Sequence, residues 1–301
     1  DQGQPKRVFR DLSHPYTKKL FSASSEQFSF RENNLSKEKL LEVCSVSVNY
    51  GSHERGIFSK DKSVEAVSNV SLDIRKGERL GLVGESGCGK STLTRTILGL
   101  QSASSGYIKF DGKEVSKYDN SFKKNIQVVF QDPYGSFNPR QKIGRLITEP
   151  FFTLGREAPS EAEQRIIAKK MLKEVGLSSE SIEKYIHEFS GGQRQRIAIA
   201  RALVIQPKLI IFDEAVSALD VSIRSQILKL ISDLTERYGL SYLFISHDLT
   251  VIENITENCL VMKNGKIVER GQTKHILRDP KNEYTLSLIN AAPKFPNFLH
   301  A

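Results

Sequence analysis

One eight-residue stretch, Gly84 to Ser91 with the sequence GESGCGKS, constrains this chain more than any other feature. It fits the pattern G-x-x-x-x-G-K-[ST] and lies between a short apolar segment and a segment with helical character. A strand, a glycine-rich loop and a helix, in that order, form the context in which this pattern binds phosphate groups. Glycines let backbone N–H groups turn towards phosphate oxygens, and the helix N-terminus adds positive potential. The stretch therefore predicts a phosphate-binding loop in an α/β fold.

The last two side chains of this loop point to a nucleotide triphosphate. Lys90 can neutralise the β- and γ-phosphates, and the Ser91 hydroxyl can hold Mg²⁺. The alternative is a glycine-rich turn with a purely structural role. Lys followed by Ser at this point argues against that alternative.

Hydrophobic patterning extends the α/β prediction along the chain. The continuous apolar runs LIIF at 209–212 and YLFIS at 242–246 are typical of strands buried on both faces of a parallel sheet. The segment between them has helical spacing, with Ile223, Ile227, Leu230, Ile231 and Leu234 on one side. Strand, helix, strand in that order indicates an α/β domain.

Other segments predict the flanking elements. LLEVCSVSVNY and SVEAVSNVSLDI predict strands, and YIKFDGKEV predicts a strand pair that turns at Asp111 and Gly112. The middle of the chain reads as helical. Ser160 and Glu163 form a capping-box pattern, and Gly176 is the predicted end of that helix.

The net charge and the cysteine content limit the kinds of partner and site that the chain is expected to have. The net charge of +9 suggests an acidic partner, either nucleic acid or anionic lipid headgroups, although a generally basic surface explains it equally well. The three cysteines are widely spaced and predict neither a disulfide framework nor a metal site.

A second chemical site is predicted where LIIFDE ends a buried strand with Asp213 and Glu214. Carboxylates at the end of a sheet strand are costly to bury unless they have a function. One suits the Mg²⁺ shell, and the next can accept a proton from an attacking water. The alternative is an acidic pair in solvent without a function. It is less favoured because the phosphate loop already predicts a bound metal ion.

Further motifs carry a family resemblance. FSGGQRQRIAIARAL at 189–203 resembles the signature motif of ABC transporter ATPases. SALD at 217–220, Gln131 after an apolar strand, and His247 in ISHDL lie where that family's remaining motifs lie, and the resemblance covers roughly residues 40–293. FQDPYGSFNPR, DEAVSALDVS and YTLSLINAAP resemble the oligopeptide/dipeptide importer branch, which includes glutathione and nickel importers. The implied fold is an ABC-type P-loop NTPase with a RecA-like core, an N-terminal antiparallel β subdomain and a helical subdomain at about 141–205.

The resemblance implies ATP and Mg²⁺ as ligands and assigns roles to single residues. Glu214 would be the general base, His247 would contact the γ-phosphate, and Gln131 would reach the Mg²⁺ or the water. Tyr50 would stack on adenine, unless it is simply a packed strand residue. The implied catalytic residues are Glu214, His247, Lys90 and Gln131; the implied Mg²⁺ ligands are Ser91, Gln131 and Asp213; the implied nucleotide contacts are Tyr50, Gly84, Ser86, Gly87, Cys88, Gly89, Lys90, Ser91 and Thr92.

The signature segment implies a second ATPase domain. Ser190, Gly191, Gly192 and Gln193 would bind the γ-phosphate held by the partner domain, and Asp220 would cross to the other half of the dimer. Other implied partners are membrane permease subunits and, indirectly, an extracytoplasmic solute-binding protein; no nucleic acid is expected. The implied location is peripheral, on the cytoplasmic face of the inner membrane. No cysteine lies beyond Cys259, so no iron–sulfur cluster is expected in the tail.

An internal similarity suggests a tandem arrangement. VFRDLSHPYTKKLFSA at 8–23 aligns with ILRDPKNEYTLSLINA at 276–291, so that Tyr16 meets Tyr284. We expect residues 1–23 to be the tail of a preceding ATPase domain, 24–39 a linker, 40–272 the ATPase domain and 273–301 a peptide-importer-type tail. The alternative is an amphipathic N-terminal extension that matches by chance.

Three functions remain open on the sequence. The leading one is the ATPase of a membrane importer for peptides or similar small solutes. A soluble ABC ATPase acting on nucleic acid or ribosomes fits the basic charge, but no long charged coiled-coil insertion separates Lys90 from Ser190. A regulatory nucleotide-binding module without turnover is disfavoured by Glu214 and His247.

Overall fold

The computed structural model describes residues 36–51, 64–115 and 120–291, together with residues 14, 15 and 18. The predictions for the segment 1–23 and for most of the linker 24–39 therefore concern parts of the chain outside the described residues. The first described strand begins at Lys39.

Two sheets make up the β structure. The ten strands of the described residues are β1 Lys39–Tyr50, β2 Val64–Arg75, β3 Arg79–Val83, β4 Ser105–Phe110, β5 Lys113–Glu114, β6 Ile126–Phe130, β7 Leu209–Asp213, β8 Ser241–Ser246, β9 Asn258–Lys263 and β10 Lys266–Gln272. One sheet has the order β2-β1-β4-β5 and is antiparallel. The other has the order β10-β9-β3-β8-β7-β6 and is parallel except for β10.

Helices connect and flank these strands. The α-helices of the described residues are α1 Lys90–Ile97, α2 Asn120–Asn125, α3 Ile143–Thr148, α4 Glu161–Glu174, α5 Gly191–Leu203, α6 Val221–Tyr238, α7 Leu249–Ile255, α8 Thr273–Arg278 and α9 Glu283–Ala291. Short 3₁₀ segments cover Glu149–Glu157, Ser179–Glu183 and Ile186–Glu188. No helix within the described ranges has the length and apolar character needed to span a bilayer.

The larger sheet is buried on both faces, which explains its continuous apolar strands. Alternate residues of β7 enter different cores: Leu209 and Ile211 join the core on the side of the smaller sheet and α1, whereas Ile210 and Phe212 join the helical side. β8 alternates in the same way. The predicted fold class is confirmed: a parallel core sheet, an antiparallel N-terminal sheet on one face and helices on the other.

The helix predicted at 160–176 is also present. The Ser160 hydroxyl accepts a hydrogen bond from the Glu163 amide, and the Glu163 carboxylate accepts one from the Ser160 amide, so both halves of the capping box form. The helix ends before Gly176, which has φ of +74°. A local sequence pattern was enough to predict this helix, because the capping residues themselves bond the backbone amides at its start.

Candidate functional site

The strand register brings the predicted chemical groups to one edge of the larger sheet. Val83 of β3 pairs with Ser246 of β8, and Asp213 of β7 pairs with Ile245 on one side and Phe130 on the other. The loop that starts at Gly84, the carboxylate pair, His247 and Gln131 thus all follow the carboxyl ends of neighbouring parallel strands. In open α/β sheets, this edge is where ligands bind.

The phosphate loop leads into a helix whose first turn is left open. α1 begins after Gly89, which provides no side-chain cap, and the first turn contains no acidic residue. By contrast, side chains cap both α4 and α5. The Lys90 ammonium is buried and donates to the carbonyl oxygens of Gly84, at 2.7 Å, and Glu85, at 2.8 Å. The loop therefore offers a helix start without a side-chain cap, and a cation, to an incoming anion.

Two of the loop glycines are required by close backbone approach. A Cβ on Gly84 would lie 2.3 Å from the carbonyl oxygen of Met262, and one on Gly89 would lie 2.3 Å from that of Ala66. Both also have positive φ, +159° and +110°. A side chain at either position would collide with the backbone of Met262 or Ala66. The glycines of the sequence pattern are therefore required for steric reasons at these two positions.

Three distant segments support the loop from behind. The Gly265 amide donates to the Cys88 carbonyl at 2.8 Å, and the Gly265 carbonyl in turn accepts from the Ser68 amide at 2.8 Å. From the C-terminal helix α9, the Tyr284 hydroxyl accepts a hydrogen bond from the Glu85 amide at 3.1 Å. The loop is thereby tied to β2, to the turn between β9 and β10, and to the tail.

The oxygen groups near the loop fit Mg²⁺. Ser91 exposes its side chain at the head of α1, Gln131 is exposed after β6, and Asp213 ends β7. Mg²⁺ in nucleotide sites takes one or two protein oxygens together with phosphate oxygens and water. Within the described ranges, no three His, Cys, Asp or Glu side chains gather as a metal cluster, so an ion here would depend on phosphate for the rest of its shell.

Burial raises the pKa of the Asp213 carboxyl, and the neighbouring Glu214 carboxylate raises it further, while Lys90 and Arg95 act against the shift. A carboxylate that is held out of water in this way is stabilised in its ionised form by a nearby cation.

Glu214 and His247 form a close pair above the sheet edge. The His247 Nδ1 lies 3.4 Å from Glu214 Oε2. Glu214 has φ of +50°, a left-handed conformation that is uncommon for a residue with a side chain, and its amide donates to the Ile245 carbonyl at 3.0 Å. The backbone thus holds this carboxylate in a sparsely populated geometry, as expected of a functional position.

The residue after His247 fixes the loop that carries it. Asp248 caps α7 by accepting from the Thr250 amide at 3.0 Å, and it forms an ion pair with Arg224 of α6 at 2.8 Å. The Asp248 amide donates to the Ser246 hydroxyl at 2.9 Å. His247 itself is left exposed towards the site.

Tyr50 lies beside the phosphate-loop helix. It is the last residue of β1, and its hydroxyl donates to Thr92 Oγ1 of α1 at 3.4 Å. Its side chain is 40% exposed, so it is not a core residue of the strand. An exposed aromatic ring at this place is available to stack on a base.

The signature segment forms a second helix N-terminus. Ser190 caps α5: its hydroxyl accepts from the Gln193 amide at 3.4 Å, and the Gln193 side-chain oxygen accepts from the Ser190 amide at 3.0 Å. Ser190 and Gly191 are exposed, whereas Gly192 is buried, and a Cβ there would lie 2.5 Å from Ile223 Cγ2. The segment therefore packs on α6 and presents its cap to solvent.

Asp220 lies at the start of α6, next to this cap. It is exposed, and its carbonyl accepts from the Arg224 amide at 2.8 Å. Ser190, Gly191 and Asp220 are thus exposed at the starts of α5 and α6, while the phosphate loop, Glu214 and His247 lie at the sheet edge.

Two contacts that sequence reasoning missed connect the segment after Gln131 to α5. The Arg194 guanidinium lies 4.8 Å from the centre of the Tyr134 ring, and that of Arg201 lies 4.4 Å from the centre of the Phe137 ring. Arg201 also donates to the Ser136 carbonyl at 2.8 Å and to its hydroxyl at 2.9 Å. The sequence carries no local signal for these contacts, because each joins residues that are 60 or more positions apart.

Family models match two parts of the chain. The model described as ABC transporter matches residues 67–217, which contain the phosphate loop, the signature segment and the carboxylate pair. The model described as oligopeptide/dipeptide transporter, C-terminal region, matches residues 268–298, which contain α8 and α9.

Individual proteins agree with these matches. The chain is 44% identical over 245 residues to the dipeptide transport ATP-binding protein of Escherichia coli, covering 80% of this chain and 73% of that protein. It is 39% identical to the glutathione import ATP-binding protein of Salmonella typhimurium, covering 97% of this chain and 51% of that protein. Among solved structures, a dimeric ATP-binding cassette in a post-hydrolysis state with ADP and phosphate matches with a TM-score of 0.68 and 28% identity, covering 78% of this chain and 99% of that one.

Proposed function

The chain belongs to the ABC transporter family of ATPases, and from this premise we propose that it powers an importer for peptides or related small solutes. The observation that carries the proposal is the meeting of the phosphate loop, Glu214 and His247 at one sheet edge, in a chain whose residues 268–298 match the oligopeptide/dipeptide transporter C-terminal region. Relatives named for dipeptide and glutathione import support the same class of cargo.

ATP binding is the first step. The first turn of α1 and the loop amides receive the phosphates, and the Lys90 ammonium, positioned by the carbonyls of Gly84 and Glu85, donates to phosphate oxygens. The exposed ring of Tyr50 stacks on the base. Mg²⁺, held by Ser91, Asp213 and Gln131, would offset charge on the β- and γ-phosphates.

Hydrolysis needs a group that accepts the proton of the attacking water. Glu214 is held in place by its backbone bond to Ile245, and its carboxylate oxygen takes that proton. His247, whose Nδ1 lies 3.4 Å from this carboxylate, keeps the base oriented and would contact the γ-phosphate.

A second cassette completes the site. The caps at Ser190 and Gly191 point to solvent, and in a head-to-tail pair they contact the γ-phosphate held by the partner, with Asp220 reaching across. Closing and reopening of this pair would move membrane permease subunits, and an extracytoplasmic binding protein would deliver the solute. The chain would act at the cytoplasmic face of the inner membrane.

Substitution Glu214→Gln tests the catalytic assignment. It removes the proton acceptor but keeps the side-chain shape, so phosphate release should fall by a factor of at least about 100 while ATP still binds. Phosphate release and ATP titration measure the two effects. The control is Glu253→Gln, an exposed change on α7 that should leave both unchanged. Undiminished hydrolysis in Glu214→Gln would remove Glu214 as the base.

We also propose that this cassette is the second of two on one polypeptide, with the boundaries expected from the sequence. The similarity of segments 8–23 and 276–291 supports this, as does a relative of which this chain covers 51%. An immunoblot of source cells with an antibody against this chain should show a band at roughly twice its 33.9 kDa. A band near that mass would contradict the tandem arrangement.

A further inference from the structure

The helix α9 contacts the phosphate loop through the side chain of Tyr284. Tyr284, the second residue of α9, is 7% exposed, and its hydroxyl accepts the hydrogen bond from the Glu85 amide at 3.1 Å. The two residues are 199 positions apart. Burial raises the pKa of the Tyr284 hydroxyl above its ordinary value.

The Glu85 residue connects this tyrosine with the phosphate-binding lysine. Its amide is bound by Tyr284, and its carbonyl accepts from the Lys90 ammonium at 2.8 Å. A rotation at Glu85 would therefore break both contacts, or shift Lys90. Helix α9 is thus connected to Lys90 through the backbone of one residue, Glu85.

Tyr284 is itself held firmly. The Lys263 ammonium lies 4.6 Å from the centre of its ring. The Glu269 carboxylate of β10 accepts from the amides of Lys281, at 2.8 Å, and Asn282, at 3.3 Å. The Asn282 side chain accepts from the Tyr284 amide at 2.9 Å. These contacts fix the start of α9 to the sheet, so the hydroxyl meets Glu85 at a set position.

We propose that Tyr284 is a positioning residue for ATP binding: it preorganises the first part of the phosphate loop, and with it Lys90, before the nucleotide arrives. This inference rests on the ATPase function proposed above. Without the hydroxyl, Glu85 gains backbone freedom in the empty protein, and that freedom is lost again when ATP binds. The effect should therefore appear in ATP affinity and KM, with little change in kcat at saturating ATP.

The test is Tyr284→Phe in the full chain, because it removes the hydroxyl and keeps the ring against Lys263. We expect the Kd and KM for ATP with Mg²⁺ to rise about fivefold, the effect of losing one hydrogen bond. Hydrogen exchange of the segment 84–93 in the nucleotide-free protein should become faster. The matched control is Ser287→Ala, which removes a hydroxyl that donates to the Tyr284 carbonyl at 2.7 Å but does not reach the loop.

A second variant, Glu269→Gln, loosens the anchor of α9 from a distance and should give a smaller rise in the Kd. Unchanged ATP affinity and loop exchange in Tyr284→Phe, or an equal change in Ser287→Ala, would overturn the inference. A lower melting temperature with unchanged affinity would reduce Tyr284 to a packing role and overturn it as well. If the unsubstituted chain binds no ATP, the proposed function fails before this one is tested.

Discussion

At the scale of single residues, Asp213 shows what it costs in stability to bury a carboxyl group in the candidate site. Burial and the Glu214 carboxylate raise the pKa of Asp213 above its ordinary value of 3.8. The folded protein therefore binds this proton more tightly than the unfolded chain does. The resulting stability is fully present below the ordinary value and is lost as the pH rises through the raised pKa. At neutral pH the ionised carboxylate destabilises the empty protein.

Substitution Asp213→Asn should accordingly raise the melting temperature of the nucleotide-free protein at pH 7.5, because it removes a buried charge. The gain should shrink as the pH falls and the original carboxyl, whose pKa is raised, takes up its proton. Thermal unfolding across this pH range measures it. Asp233→Asn, at an exposed position of α6, is the control. A gain in melting temperature that is independent of pH would show that the buried charge of Asp213 is not its cause.

Residue identity predicted much of the site, because its chemistry is local. The phosphate loop needs glycine at Gly84 and Gly89 for steric reasons and is readable as a short pattern. The left-handed backbone of Glu214 could not be predicted, since it follows from the bond between its amide and the Ile245 carbonyl of a neighbouring strand. The contact of Tyr284 with Glu85 is equally non-local.

At the scale of elements, Arg201 joins α5 to the segment that follows Gln131. Its guanidinium is largely buried, which lowers its pKa, and it stacks on Phe137 while bonding twice to Ser136. The signature helix and the segment behind Gln131 are thus tied together by one side chain. A displacement of α5 should therefore also displace the segment after Gln131, and the reverse.

Substitution Arg201→Ala should lower the free energy of unfolding by about 2 kcal/mol, since two hydrogen bonds and a cation–π contact are lost. Arg201→Lys keeps the charge but not the planar fork, and it should recover only part of this loss. Denaturant unfolding measures both. Equal stability of the lysine variant and the unsubstituted protein would show that charge alone matters here.

Element prediction succeeded where one local pattern was sufficient. The capping box of α4 and the doubly buried strands β7 and β8 were each decided by a few neighbouring residues. The Arg201 contact was missed because Ser136 lies 65 residues away in the chain, and no periodicity within either element encodes that pairing.

At the scale of the whole molecule, the order of strands in the larger sheet was not predictable from the chain. β3 lies between β8 and β9, which come more than 150 residues later. The sequence indicated parallel strands but not which strands are neighbours. The structure supplies that arrangement, with Val83 of β3 paired with Ser246 of β8.

The outward-facing cap of α5 has a consequence for the rate law. If Ser190 and Gly191 serve only a phosphate held by another cassette, turnover by the isolated chain is second order in protein at low concentration. Phosphate release per molecule should then rise in proportion to concentration and level off once pairing saturates. Serial dilution at saturating ATP measures this. A constant specific activity at every dilution would mean that each molecule completes its site alone. The Ser190 cap would then stabilise α5 and contribute nothing to catalysis.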